Sequence, residues 1–260
     1  MAENKKKELI QKTYEILKDV GPEDTKIRTI ASKANCTSTV IYRHFNDLDH
    51  LLLFASIKFL EDYMVDLQKI FNSNMNALDM GVLMWESFSK YAFQNIHVFE
   101  TLFWGKYKEN LGDTIFEYYQ LFPDEWIHSD GLSASVFFND DLQGRNRIML
   151  RRAASTGYFT FDDAMLLSDL ECCLFHGVLM EYKDVYRQPG MAEEGHERFM
   201  KMLDSLRALY DYIIIDTPPA LSLLTVNAYV ATDSLIIPMS PEILSLLGVS
   251  QIKETLSLIH

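Results

Sequence analysis

The stretch IRTIASKANCTSTVIYRHFNDLDHLLLFA, residues 27–55, decides the fold of the N-terminal part. Ile27, Ile30, Ala31 and Ala34 recur at helical spacing and predict a short helix, which Asp24 or Thr25 can cap. Asn35 then stands where the chain needs a positive φ, a conformation Asn tolerates better than most residues with a side chain. Thr37 or Ser38 can cap a third helix that carries Val40, Ile41 and Phe45. Two short helices joined by so tight a turn form the helix-turn-helix pattern. Upstream, Leu9, Ile10, Tyr14, Ile16 and Leu17 mark a first helix, expected to stop at the helix-ending pair Gly21-Pro22. Downstream, a helix starting at Asp47 runs through Leu52, Ala55, Phe59, Met64 and Leu67 to about Phe71. Residues 1–64 are thereby set off as a first domain.

The charge balance singles out the same stretch. The 260 residues carry 24 Lys+Arg against 37 Asp+Glu, a net charge of −13. From Thr25 to Asn46, however, stand Lys26, Arg28, Lys33 and Arg43 with no acid among them. An acidic protein with such a window confines its affinity for polyanions to one place. Apolar residues at 48% and charged residues at 23% exclude a disordered chain. No apolar run reaches the roughly 18–20 residues of a membrane span, and the N-terminal MAENKKK is not a secretory leader. Cys36, Cys172 and Cys173 are an odd set with two neighbours, which is no disulfide framework and fits a reducing cytosol. A cytoplasmic location without membrane contact is expected. No Cys/His cluster has zinc-ligand spacing, and neither a metal nor a cofactor is expected.

The 27–55 segment resembles the DNA-binding signature of the tetracycline-repressor (TetR) family of transcriptional regulators. The resemblance rests on Ile30-Ala31, Ala34, Thr37, Ile41-Tyr42, Phe45 and Leu51-Leu52. Two positions depart: family members usually carry Gly where this chain has Asn35, and often Lys near Leu48. A recognition helix sets its N-terminal residues against base edges in the major groove, here Thr37, Ser38 and Thr39. On the family pattern Tyr42 and His44 look like phosphate contacts. Arg28 on the preceding helix can reach base or backbone, and Arg43 completes the candidate DNA-binding set. Ile30, Ala31, Ile41 and Phe45 read as core. The implied partner is a double-stranded operator.

Residues 65–206 read as an acidic helical body, with helices near 76–94, 96–104, 110–121, 132–155, 160–186 and 192–209. They resemble the variable C-terminal body of the same family, which holds an effector pocket and the dimer interface. Dense aromatics supply a candidate lining for an unknown small-molecule effector: Trp85, Phe88, Tyr91, Phe103, Trp104 and Tyr118. His176 is the polar group placed with them, and His97, His128 and Glu86 are others that can serve. The same spacing also describes plain core. Phe161–Tyr186, apolar over more than half its girth, is the candidate dimerising helix of a homodimer. Cys172 and Cys173 read as buried packing residues.

Residues 207–260 break the pattern. Tyr212–Ile215 is a β-prone run closed by Asp216-Thr217-Pro218-Pro219, Leu221–Ala231 reads as a helix, and Ser234–Pro238 as a second strand. This segment resembles part of the ParA/MinD (Soj-like) partitioning ATPases, with IIIDTPP standing as their Walker B strand. Such enzymes cradle phosphates in a G-x-x-x-x-G-K-[ST] loop, and the sequence has none. Asp216 alone cannot hold a triphosphate. The expected fold is therefore mainly α: a TetR-like helix-turn-helix domain, a helical ligand-binding and dimerisation domain, and a short α/β tail fragment, a piece of another open reading frame joined to the regulator. The expected function is ligand-responsive transcriptional regulation without enzymatic activity. The alternative is a ParA-type nucleotide-binding partitioning protein fused to a DNA-binding module, which the missing phosphate loop disfavours.

Overall fold

The computed structural model describes residues 2–126 and 131–207, and every regular element among them is helical. The helices are α1 (Ala2–Asp24), α2 (Ile27–Lys33), α3 (Ser38–Ile41), α4 (Leu48–Ile57), α5 (Glu61–Phe71), α6 (Ala77–Gln94), α7 (Ile96–Phe103), α8 (Leu111–Leu121), α9 (Gly131–Phe137), α10 (Leu142–Ser155), α11 (Phe161–Glu181) and α12 (Met191–Arg207). The strands expected within residues 207–260 lie outside the described residues. The chain divides into two units, 1–207 and 208–260, and the description that follows concerns the first.

The punctuation residues act as the sequence predicts, with informative exceptions. Gly21 adopts φ 80° and breaks α1 just before Pro22. A side chain there would be strained and would also collide with the Arg187 guanidinium. Asn35, at φ 47°, is the one non-glycine residue with positive φ among the described residues. Asp47 accepts a hydrogen bond from His50 N–H at 3.0 Å and caps α4. The cap of α2, by contrast, is neither Asp24 nor Thr25 but Lys26, which makes no side-chain capping bond. Thr25 is buried, and its hydroxyl donates to Gly21 C=O at 2.6 Å, closing the kinked end of α1. Thr37 occupies the cap position of α3 without its side chain making the bond.

Two expected helices are interrupted. The one running from Asp47 to Phe71 tightens into a 3₁₀ turn at Lys58–Leu60 between α4 and α5. The expected 132–155 helix is two, α9 and α10, parted at Asn139-Asp140-Asp141, where Asp141 accepts from Gln143 N–H and Gly144 N–H. Short polar side chains that bond nearby backbone offer the chain an alternative to continuing a helix.

One apolar core runs from Leu9 and Ile10 to Phe199 and Leu203. In the N-terminal part α1 packs on α4, and α2 packs on α3. Ile30, Ala31, Ile41 and Phe45 are all buried, as core residues should be. Helices α4 and α1 both rest on α7, so the N-terminal helices share the core of the body. There α6 packs against α5, α10 and α12, and α11 against α10 and α12. Many of the aromatics belong to this core: the Phe88 ring lies 5.3 to 5.9 Å from those of Tyr63, Trp85, Phe99, Phe103 and Phe175. Truncating a buried Phe of this kind to Ala costs roughly 3–5 kcal/mol.

Candidate DNA-binding face and ligand cavities

The α2–turn–α3 unit buries its apolar side and turns its polar side outward. Arg28, Thr37, Thr39, Tyr42 and Arg43 are exposed, while Ser38 and His44 are half-buried. Tyr42 is 55% exposed. Neither Arg28 nor Arg43 forms an ion pair among the described residues, so both guanidinium groups face solvent without a competing carboxylate. Burial, together with the nearby Lys6, Arg43 and Lys5 cations, lowers the His44 pKa, keeping the ring neutral near pH 7. The N-terminal helix braces the unit: Lys5 Nζ donates to Ala34 C=O at 2.8 Å, and Lys6 Nζ lies 4.3 Å from the Phe54 ring centre.

The aromatic residues expected to form one pocket are distributed over two cavities and the core. A cleft of about 490 Å³ is lined by Phe103, Trp104 and His176 together with Lys108, Glu109, Asp140, Asp141, Leu142, Gln143, Cys172 and Cys173. His176 stacks on Trp104 with centroids 4.3 Å apart and planes 8° from parallel, and burial lowers its pKa. Trp85 and Phe88 instead line a small cavity of about 20 Å³, with Tyr63, Gly81, Met84, Leu142, Arg145, Asn146 and Met149. Tyr91 and Tyr118 line neither cavity. Tyr91 OH donates to Asp66 Oδ2 at 3.0 Å, and Tyr118, buried, donates to Glu125 Oε2 at 2.7 Å.

The other polar candidates also separate. His97 sits between Glu23 and Glu100, 3.1 and 3.3 Å away, at the junction of α1 and α7. Glu86 is exposed, and His128 lies outside the described residues. Cys172 is buried, and burial pushes its thiol up to about 12, but Cys173 is exposed. Adjacent helical residues point about 100° apart, so the pair could not share one environment.

Residues that the sequence reading passed over form the polar centre of the body. Glu171 is fully buried and accepts from Trp85 Nε1–H at 3.0 Å and Asn146 Nδ2–H at 2.7 Å. Arg145 is 3% exposed; its Nε–H donates to Asn139 C=O at 2.9 Å, and its guanidinium lies 5.0 Å from the Phe103 ring centre. The visible signal was Asn139-Asp140-Asp141, a turn-forming run inside a stretch read as continuous helix.

The segment that walls the cleft also reaches the start of α4. Immediately after Trp104, Lys106 Nζ and Tyr107 OH both reach Asp47 Oδ2, the latter at 3.0 Å. The Tyr107 ring lies 5.1 Å from His50. Burial opposes ionisation of Asp47, but hydrogen bonds from Lys106, His50 N–H and Tyr107 hold its carboxyl below the usual range. The residue that caps α4, the helix that follows α3, is therefore gripped by the segment that also walls the cleft.

No helix among the described residues is long and apolar enough to cross a membrane, and none of their His, Cys, Asp and Glu side chains cluster as a metal site. In sequence, the AAA domain family matches residues 168–260, beginning within α11. The Soj sporulation initiation inhibitor of Bacillus subtilis is 47% identical over 63 residues, 24% of this chain and 25% of that protein. The chromosome partitioning protein ParA of Myxococcus xanthus is 49% identical over 65 residues, 24% of this chain and 23% of its own length. The chain thus spans about a quarter of the length of these relatives. In structure, the FadR repressor of Thermus thermophilus, a TetR-family protein solved with lauroyl-CoA, superposes with a TM-score of 0.50 at 9% identity. That match covers 82% of this chain and all of FadR. PfmR, a TetR-family regulator also from Thermus thermophilus, gives a TM-score of 0.46 at 16% identity, covering 78% of this chain and 98% of its own. Residues 2–207 have the fold of the TetR-family transcriptional regulators, and the C-terminal segment of the chain is similar in sequence to the Soj and ParA partitioning proteins.

Proposed function

We propose that the chain is a ligand-responsive transcriptional repressor that binds an inverted-repeat operator as a homodimer in the cytoplasm. The observation that carries this reading is the α2–turn–α3 unit, which holds no acid of its own and leaves Arg28, Thr37, Thr39, Tyr42 and Arg43 all exposed. Among the described residues, Lys33 alone of its cations pairs with an acid, Glu15 of α1. Thr37, Ser38 and Thr39 face base edges, and Tyr42, His44, Arg28 and Arg43 hold the backbone. Residues 1–64 bind DNA, 65–206 hold the effector and the dimer contact, and 207–260 are a passenger without nucleotide chemistry. The dimer contact is the outer stripe of α11, where Leu166 and Leu170 are 61% and 44% exposed. Gly177 continues that stripe with open space beside it, allowing a second helix to approach closely.

The effector acts through the cleft. A ligand that prefers one placement of Trp104 also biases Lys106 and Tyr107, and with them the start of α4. The deciding experiment is selection of bound DNA from a random pool by the full chain. The expected product is a short inverted repeat whose affinity falls steeply with salt, because Lys and Arg contacts release counterions. Recovery of only random or asymmetric sequences at low salt, from folded protein, would end this reading.

A further inference from the structure

The buried guanidinium of Arg145 is incompletely used. Its Nε–H is bonded to Asn139 C=O, while Nη1 and Nη2 are buried with no hydrogen-bond partner among the described residues. Nor does it form an ion pair with any of them. The nearby acids are occupied elsewhere: Asp140 Oδ1 accepts from Gly112 N–H, and Asp141 caps α10. Glu171 is held by Trp85 and Asn146. Burial lowers the Arg145 pKa to about 10, so the group stays cationic at neutral pH. A buried cation whose donors go unanswered is costly, and a chain that retains one holds a preformed half of a charge pair.

We propose that Arg145 is the anchor for the carboxylate of a small monocarboxylic acid, whose apolar or aromatic body lies among Tyr63, Met84, Trp85, Phe88 and Met149. A carboxylate takes two parallel N–H bonds from such a fork, and the Nε bond to Asn139 together with the Phe103 ring holds the fork in place. The cavity beside it, about 20 Å³, has room for about one water, so the acid enters by displacing side chains. Met84 and Met149 are the flexible walls that can yield. Leu142 borders both this cavity and the 490 Å³ cleft, and Phe103 touches Arg145 while lining the cleft, which marks the way in. The proposal deepens the effector reading above and rests on it for the consequence at DNA, though not for binding itself.

The test uses the full chain, with cinnamate and octanoate as probes and their methyl esters as neutral controls. Thermal unfolding is expected to shift upward, saturably, with at least one acid and with neither ester. Arg145→Met, which replaces the lone cation with an apolar side chain, is expected to melt higher than the parent without ligand and to lose the acid response. Arg145→Lys keeps the charge but loses the fork, and is expected to weaken acid binding on the order of tenfold. Equal responses to acid and ester, or an acid response surviving in Arg145→Met, would overturn the proposal. So would an Arg145→Met protein that melts lower while the parent ignores both acids, which would make Arg145 a structural cation. Operator affinity is measured in parallel: acid binding through Arg145 that leaves it unchanged supports the site and ends its effector role. Failure to select any operator without ligand refutes the regulator reading and leaves the acid site standing.

Discussion

Tyr42 shows how much one exposed ring can distinguish. Buried, it would be packing; at 55% exposure beside Arg43 it stands open to solvent, and the proposed reading gives it a phosphate. Tyr42→Ala is therefore expected to weaken specific and non-specific DNA alike, because a phosphate contact carries no sequence information. Ser38 and Thr39 changes should instead alter which bases are preferred, by up to about 1–3 kcal/mol for a good lost contact and less for a single hydroxyl. A matrix of protein variants against operator variants checks both, and the reverse pattern would exchange the assigned roles. Asn35, at φ 47°, poses a different question. Asn35→Gly should be nearly neutral in urea unfolding, whereas Asn35→Val should cost roughly 1–2 kcal/mol for left-handed backbone.

At the scale of elements, Asp47 does two things at once. It caps α4 and it receives Lys106 and Tyr107 from beyond α7. Asp47→Ala should cost about 1 kcal/mol through the cap alone. Because its folded pKa is lowered, the stability Asp47 contributes is present above its ordinary 3.8 and is lost as pH falls through the folded value. Tyr107→Phe is the more selective change. It should leave operator binding without ligand intact and blunt the release caused by ligand, measured as the ratio of operator affinities with and without it. An undiminished ratio would show that coupling bypasses this contact. On α11, charge at Leu166 and Leu170 together should dissociate the proposed dimer, read by sedimentation, while the monomer remains helical.

For the whole molecule, acid should destabilise residues 2–207 earlier than carboxylate titration alone would. Burial lowers the pKa values of His50, His176 and His196 from the usual 6.5. The unfolded chain then binds more protons than the folded one just below that value, so stability should decline as pH falls from about 6.5. Denaturant midpoints between pH 7 and 5 measure this. Truncation after Ala208 should leave operator binding and dimerisation intact, and ATP should have no effect on either form. Loss of the dimer on truncation would make the C-terminal segment a working part.

The helix-turn-helix was legible in the sequence because its determinants are local: apolar spacing, one turn residue, and an absence of acids within twenty-odd positions. Gly21, Asn35 and Asp47 act in the structure through backbone φ and neighbouring N–H groups, which sequence neighbours set. The body was legible only as helices. Its aromatics share one period, yet tertiary packing sends Trp85 to one cavity, Trp104 to another and Tyr118 into the core. Arg145 shows the reason most plainly. In sequence it is one cation in the polar run Gln143-Gly-Arg-Asn-Arg147, and nothing there distinguishes it from a solvated residue. Helix α10 buries Arg145 with Asn146 against the core and leaves Arg147 to pair with Asp169 on α11. Which charge is desolvated depends on what lies across the helix in space, and only the assembled body decides that.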